Sequence, residues 1–355
     1  MRASFASRLR CPVCRHDGTL RLHSSETDVH ETRTGTLGCS RCGAERPVNR
    51  GVADLLVDPP EYVDRESAGL ERFATRMRDD GWTREKVLEL PDVDLGYWYA
   101  QRKSIEQLLE VVDFRPGQWL LDLGSNTCWA SSRFATHNLN VIALDISLWE
   151  MQGLWTADWY IEEGISYFER VLATMNDVPL ASGSLDYVYA CEVLHHNDPA
   201  GLRRAFQEAY RVLRPGGQML VVNETLKTRS DPDGVHTEGV AEFEGYEHAH
   251  WAARYRWEAV RAGFSTAVLE PSFHYFYNGG PSPLRPPIRP LGARVYEELR
   301  RHYLGRRAYL SWINHVKGGT SFGMIATKPA RPRLRTLRTS LADPSATSGA
   351  GGMKT

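Results

Sequence analysis

The sequence has no apolar run long enough to cross a bilayer, so a membrane-spanning helix is not expected. It has almost no net charge: 43 Lys and Arg stand against 44 Asp and Glu. No overall field of one sign therefore draws in nucleic acid, and nucleic acid is the less favoured partner. The first residues, MRASFASRLR, lack the apolar stretch of a secretory signal, and a cytoplasmic protein is expected. Cysteine is scarce, with six in 355 residues. Four form two C-x-x-C pairs, while Cys128 and Cys191 lie far downstream, which is the usage of a metal site rather than of a disulfide framework. What remains is ordinary for a soluble globular protein, 42% hydrophobic and 25% charged, in a chain long enough for two or three domains.

The chain is organised around residues 119–146, WLLDLGSNTCWASSRFATHNLNVIALDI. Trp119–Leu121 reads as a strand buried on both faces, Gly124, Ser125 and Asn126 as a turn, Trp129–Thr136 as a helix and Val141–Leu144 as a second buried strand. This is a βαβ half of the nucleotide-binding kind. Gly124 lets the backbone approach a ligand, and the following helix start offers unpaired N–H groups. Asp145, 21 residues after Gly124, is placed to accept hydrogen bonds from a ribose diol. The glycines of a dinucleotide fingerprint are missing, since their positions fall on Asn126 and Trp129. Asp122, two residues before Gly124, would repel a pyrophosphate but suits a cationic amino-acid head group.

At these residues the chain resembles the class I S-adenosylmethionine-dependent methyltransferases. Their first motif, (D/E)-x-G-x-G-x-G, stands here as Asp122-Leu-Gly124-Ser-Asn126-Thr-Cys128, with two of the three glycines replaced. Asn tolerates a left-handed backbone better than most residues, so Asn126 is the milder departure and Cys128 the larger. Met175-Asn176-Asp177-Val-Pro-Leu180 followed by Ser184-Leu-Asp186 is similar to a second family block, in which Asp177 matches the acid that accepts from the adenine amino group. Leu213-Arg-Pro-Gly-Gly217 before an apolar strand is another family feature. The resemblance implies an α/β fold, a Rossmann-like seven-stranded sheet with helices on both faces, and S-adenosylmethionine as cofactor. The expected cofactor residues are Asp122, Gly124, Asn126, Asp145, Ile146, Asn176, Asp177 and Glu192.

The fourth core strand, Tyr187–Ala190, runs into Cys191-Glu192-Val-Leu-His195-His196-Asn197. Ligands on open α/β sheets lie beyond the carboxyl ends of strands, so Glu192, His195 and His196 are the candidates for general acid or base. The alternative is that this turn, common in the family, is structural, with His195 in the cofactor's surroundings.

Upstream, Cys11-Pro-Val-Cys14 and Cys39-Ser-Arg-Cys42 flank 24 residues that alternate like a β-hairpin. Two such pairs complete a tetrahedral zinc site, giving a small β zinc ribbon held together by a structural Zn2+. The ribbon resembles those of zinc-ribbon partners of tRNA methyltransferases and of some rRNA and sugar methyltransferases.

The resulting division is a zinc ribbon at 1–58, a helical connector at 59–115 that covers the cofactor, and a methyltransferase domain at 116–329. Insertions fall at 224–253 and 271–318, and a disordered tail at 330–355. A lid rich in His and Glu is expected within the first insertion and an arginine-rich helix within the second. Three functions stay open: a methyltransferase acting on a small molecule or glycan, an RNA methyltransferase that uses the ribbon for binding, and a non-methylating binder or cyclase on the same fold.

Overall fold

The computed structural model describes residues 1–93, 96–227, 248–269, 298–299, 301–312 and 321–330. Most of both insertions and the tail after 330 lie outside the described residues, and with them most of the expected lid and much of the arginine-rich helix. Four strands come first: β1 (Leu20–Thr27), β2 (Thr32–Cys39), β3 (Glu45–Asn49) and β4 (Val52–Asp54). Helices α1 (Glu61–Asp79), α2 (Arg84–Leu88) and α3 (Gly96–Val111) follow. The core then alternates β5 (Trp119–Leu123), α4 (Trp129–Thr136), β6 (Asn140–Asp145), α5 (Ala157–Glu162), β7 (Glu169–Leu172), β8 (Leu185–Cys191), α6 (Pro199–Val212) and β9 (Leu213–Thr225). It closes with α7 (Ala252–Ala262), β10 (Ser265–Val268), α8 (Tyr303–Trp312) and β11 (Ser321–Thr327).

The seven expected core strands form one sheet in the order β7-β6-β5-β8-β9-β11-β10. Pairings from β7 to β9 are parallel, while β11 runs antiparallel to both β9 and β10. Neighbouring side chains on each strand go to opposite faces, as strand geometry requires. Leu121, Leu123, Ile142, Leu144, Val188 and Val221 pack with α6 and α7, whereas Leu120, Val141, Ala143, Tyr189 and Val222 pack with α1–α5. Both faces are covered, which explains the continuous apolar strands.

The sheet is longer than the sequence suggests. β4 pairs in parallel with β7, so β1–β4 extend the core sheet to eleven strands. The ribbon does not stand alone around its four cysteines: Phe5, Leu9, Leu20 and Leu37 belong to the same apolar cluster as Leu121 and Leu144. A buried ion network stitches the seam. Arg170 on β7 is fully buried and pairs with Glu31 of the ribbon and, at 2.8 Å, with Asp158 of α5. Arg33 and Arg50 reach the same Asp158 at 2.9 Å.

Between β6 and α5 the chain makes a turn and a short 3-10 stretch. Arg214–Gly217 is not a free turn but an irregularity within β9, where Gly216 takes φ +83°.

Candidate functional site

The carboxyl ends of β5, β6, β8 and β9 converge on one region, and the backbone there is held in uncommon conformations. Gly124 has φ +75°, and Asn126 (+45°), Cys128 (+58°), Glu192 (+49°) and Asn223 (+56°) are left-handed without being glycine. Each such residue costs on the order of 1–3 kcal/mol and persists only where its surroundings enforce it, as at ligand sites. The motif positions filled by Asn126 and Cys128 therefore keep the conformation glycine would favour. Cys128 is fully buried and caps the start of α4 through its backbone; burial pushes its thiol far above the ordinary range.

Gly124 and Ser125 donate their N–H groups to Leu144 O at 2.8 and 3.1 Å, fixing the loop to β6. Asp145 then receives Asn126 N–H on Oδ2 at 2.8 Å and Ser147 N–H on Oδ1 at 2.9 Å. Asp122 receives Ser131 Oγ at 2.6 Å. Burial pushes Asp122 up to about 7, and the neighbouring Asp145 adds to the rise. Burial likewise raises Asp145 to about 6, against its backbone hydrogen bonds and the nearby His196. Two buried carboxylates thus sit on adjacent strands, each held by hydrogen bonds from the loop or helix beside it.

The β8 turn is built around an acid the motif reading missed. Glu224, fully buried at the end of β9, accepts N–H groups from Val193 and Leu194 at 3.0 Å and from His195 at 3.2 Å. Its Oε2 also lies 3.1 Å from His195 Nδ1. Burial opposes its charge, yet His195 and these N–H groups hold its carboxyl below the usual range. His195 is therefore the anchored member of the pair. The His196 ring centre is 4.5 Å from that of His195, and its Nδ1 is 2.6 Å from Glu66 Oε1 on α1. Helix α1 lies across the strand tips: Tyr62 donates to Asn176 Oδ1 at 2.7 Å, and Met77 Sδ receives Gln152 Nε2 at 2.9 Å. Gln152 in turn accepts from Asn126 Nδ2 at 2.7 Å. From α3, Gln101 accepts from Asn223 Nδ2 at 2.8 Å. Helices α1 and α3 thus reach the strand tips through these contacts, while Trp98 packs as core against Trp82 and Trp129.

The structure brings Asp122, Gly124, Asn126, Asp145, Ile146, Glu192, His195 and His196 to one end of the sheet. Asn176 is joined to the α6 side through Asn197 and Gly201. Asp177 points elsewhere: it is 43% exposed and pairs with Arg15 of the ribbon at 3.0 Å. The residues that directly follow β7 are Ala173, Thr174 and Met175, and Ala173 N–H binds Asp145 O at 3.0 Å. Of the sequence's His-rich lid, His248 and His250 are described. His248 N–H binds His195 O at 2.6 Å, and His250 Nε2 meets Asn197 O at 2.8 Å. Burial lowers the titration of both rings.

In the ribbon, the thiols of Cys11, Cys14, Cys39 and Cys42 all lie within 4.8 Å of one another. Cys11 and Cys42 sulfurs are 3.8 Å apart and those of Cys14 and Cys39 3.7 Å. Four thiolates at a Zn–S distance of about 2.3 Å define a tetrahedron with edges of about 3.8 Å, so the set fits zinc. Among the described residues no other group of three or more His, Cys, Asp or Glu is placed to hold a metal.

Residues 121–221 match the family model described as a methyltransferase domain. Over that stretch, with its sheet and loop, the chain is similar to methyltransferase domains. An uncharacterised methyltransferase of Mycobacterium tuberculosis is 34% identical over 110 residues, 31% of this chain and 41% of that protein. The 27-O-demethylrifamycin SV methyltransferase of Amycolatopsis mediterranei is 30% identical over 135 residues, 35% and 48% of the two chains. The chain thus spans less than half the length of these relatives. Among solved structures, a geranyl diphosphate methyltransferase in complex with geranyl diphosphate and sinefungin aligns with a TM-score of 0.45 at 17% identity, over 64% of this chain and 77% of that one.

Proposed function

We propose that the protein transfers a methyl group from S-adenosylmethionine to a small molecule or glycan, with the four ribbon cysteines holding a structural zinc. The observation that carries this reading is the pair of buried carboxylates, Asp122 and Asp145, flanking the left-handed loop 124–128 inside a methyltransferase domain. Asp122 would face the cationic methionine end, and Asp145 the ribose hydroxyls, each through a lone pair left by its present hydrogen bonds. When bound, the cofactor supplies a methyl group on a sulfonium. The chain's task is to align the acceptor, a contribution that reaches about 7–11 kcal/mol in well-oriented pairs, and to remove a proton where the acceptor carries one. His196 and Glu192 stand at the tip of β8 for that task, and His195 holds the turn in place.

Small-molecule or glycan acceptors are favoured over RNA because the seam directs its cations inward. Arg33, Arg50 and Arg170 are engaged by Glu31 and Asp158, and Arg15 by Asp177. The Amycolatopsis relative's name adds support for a small molecule. The test is calorimetry with S-adenosylhomocysteine on the intact chain and on Asp145→Ala. Binding should be measurable and should weaken at least several-fold in the variant, as expected when hydrogen bonds to a charged acceptor are lost. Equal affinity would refute the assignment of Asp145. Retarded migration of RNA at moderate salt would favour an RNA substrate instead, and cofactor binding without turnover on any acceptor would favour a non-methylating role.

A further inference from the structure

Three parts of the chain enclose a cavity of about 240 Å³ where the ribbon meets the core. Helix α1 lines it with Ala74, small enough to leave room, and with the hydroxyl of Thr75. The segment between β6 and α5 supplies two indoles, Trp149 and Trp155, and the ribbon supplies Arg50 from the turn between β3 and β4. None of the lining residues is assigned above to the cofactor or to proton transfer. The walls are held by their own contacts. Arg50 Nε donates to Asp158 Oδ2 at 2.9 Å, and the guanidinium lies 4.8 Å from the Trp155 ring centre. Met151, beside Glu150, donates its N–H to Thr156 Oγ1 at 2.8 Å. Arg50 and Met151 have φ of +48° and +71°, a left-handed backbone that surroundings must enforce in residues other than glycine. Trp149, by contrast, is left 37% exposed.

We propose that this cavity is a second ligand site, separate from the cofactor's, which takes one neutral polyhydroxylated ring, a sugar residue. Size limits the occupant. Pockets for drug-sized ligands run to about 300–1,000 Å³, so this one suits a single ring rather than a nucleotide. The two indoles offer broad apolar faces to the C–H side of such a ring. The charges decide against an ionic ligand. Arg50 and Arg78 line the cavity together with Glu71 and Glu150, and Arg50 already reaches Glu150 at 3.3 Å. An anion meets two carboxylates and a cation meets two guanidiniums, so neither gains a net field. Neighbouring hydroxyls donate and accept, so they use carboxylate oxygens and guanidinium N–H groups at once, and the Thr75 hydroxyl adds a partner.

The site borders the cofactor loop without being part of it. The segment that carries both indoles also carries Gln152, which accepts from Asn126 Nδ2 at 2.7 Å and donates to Met77 Sδ on α1 at 2.9 Å. Ring and cofactor have separate lining residues, so they bind together rather than in competition. The site does not depend on the methyltransferase reading.

The test uses the full chain, with and without S-adenosylhomocysteine, and the methyl glycosides of D-glucose, D-galactose and D-mannose as probes. Saturation-transfer spectra and calorimetry should show at least one of them binding with a dissociation constant on the order of 1–10 mM, as expected of a single ring. Trp149→Ala should weaken that binding at least about tenfold, as loss of a large aromatic contact does. Thr75→Trp, which adds bulk in the cavity and removes neither indole, should abolish it. The phosphorylated and amino counterparts of the best sugar should bind no more tightly than the neutral ring. Maltose or lactose binding more tightly than its single ring marks the residue of a glycan, and equal binding marks a free sugar; either upholds the site. No binding by any of the three glycosides overturns the proposal. So does unchanged affinity in Trp149→Ala or Thr75→Trp, tighter binding of a charged counterpart, or displacement of the sugar by S-adenosylhomocysteine. If circular dichroism shows that Trp149→Ala does not fold, Thr75→Trp decides.

Discussion

Gly124→Ala is the sharpest probe of the cofactor loop. Gly124 holds φ +75°, and a Cβ there would stand 3.0 Å from Val193 Cβ and closer still to its Cγ2. Two separable penalties follow. A non-glycine residue in the left-handed region costs about 1–2 kcal/mol. Forcing a methyl group into packed surroundings costs about 1–3 kcal/mol more. Val193 has little room to yield, because its branched side chain has one favoured rotamer and Glu224 Oε1 accepts its N–H at 3.0 Å. The sum, about 2–5 kcal/mol, appears as lost stability or as a displaced loop. Each 1.4 kcal/mol transferred to binding weakens S-adenosylhomocysteine about tenfold. Urea denaturation and calorimetry on Gly124→Ala, Val193→Ala and the double variant complete a cycle that isolates the steric share. The double variant should recover that share and retain only the backbone penalty. Unchanged stability and affinity in Gly124→Ala, or no recovery in the double variant, would refute the argument.

Two further outcomes are expected. A zinc held by the four thiols predicts one metal per chain in elemental analysis, which Cys11→Ser should lower together with the melting temperature, because Cys11 is part of the shared apolar core; undiminished metal content would refute the zinc site. Asp122→Asn concerns pH: the folded-state value of about 7 is raised above the ordinary 3.8, so the proton favours the folded chain, and the stability this group contributes is full below about pH 4 and lost as pH rises through 7. The variant should therefore gain thermal stability over the ligand-free parent as pH goes from 5 to 8, by an amount on the order of a few kcal/mol, while its affinity for S-adenosylhomocysteine falls; a stability difference independent of pH would refute the cause.

Much of this was legible because it is local. The apolar runs at 119–121 and 141–144, the turn at Gly124 and the acid at Asp145 follow from strand periodicity and turn chemistry within thirty residues, and α4 spans Trp129–Thr136 as its pattern predicts. The paired C-x-x-C motifs announce their own geometry. What escaped depends on distant contacts. Glu66 and Glu224 are ordinary acids in sequence, and only the placement of α1 and β9 brings them to a histidine turn more than a hundred and about thirty residues away. One signal was available for Glu66, a lone acid on the buried face of an amphipathic helix. Asp177 shows the opposite case, in which a motif match gives the residue type but not its direction, which Arg15 sets from the ribbon.

The same distant contacts bear on what the ribbon is for. Without it, β7 would be the edge of the core sheet, with its backbone groups unpaired. β4 closes that edge, and Leu55 N–H continues the pairing to Leu172 O at 3.0 Å. Beyond the strand, Arg10 N–H binds Pro179 O at 3.0 Å and Ala181 N–H binds Arg8 O at 2.7 Å, so the ribbon also braces the segment between β7 and β8. Arg170, with no exposed surface, has its countercharges on both sides of the seam, Glu31 in the ribbon and Asp158 in α5. Separating the two parts would break the Arg170–Glu31 pair and take Arg33 and Arg50 away from Asp158. A ribbon tied in this way moves with the sheet that carries the site. A metal held by the four cysteines and a ligand held at the strand tips would then act on one folding unit, each stabilising the state that binds the other.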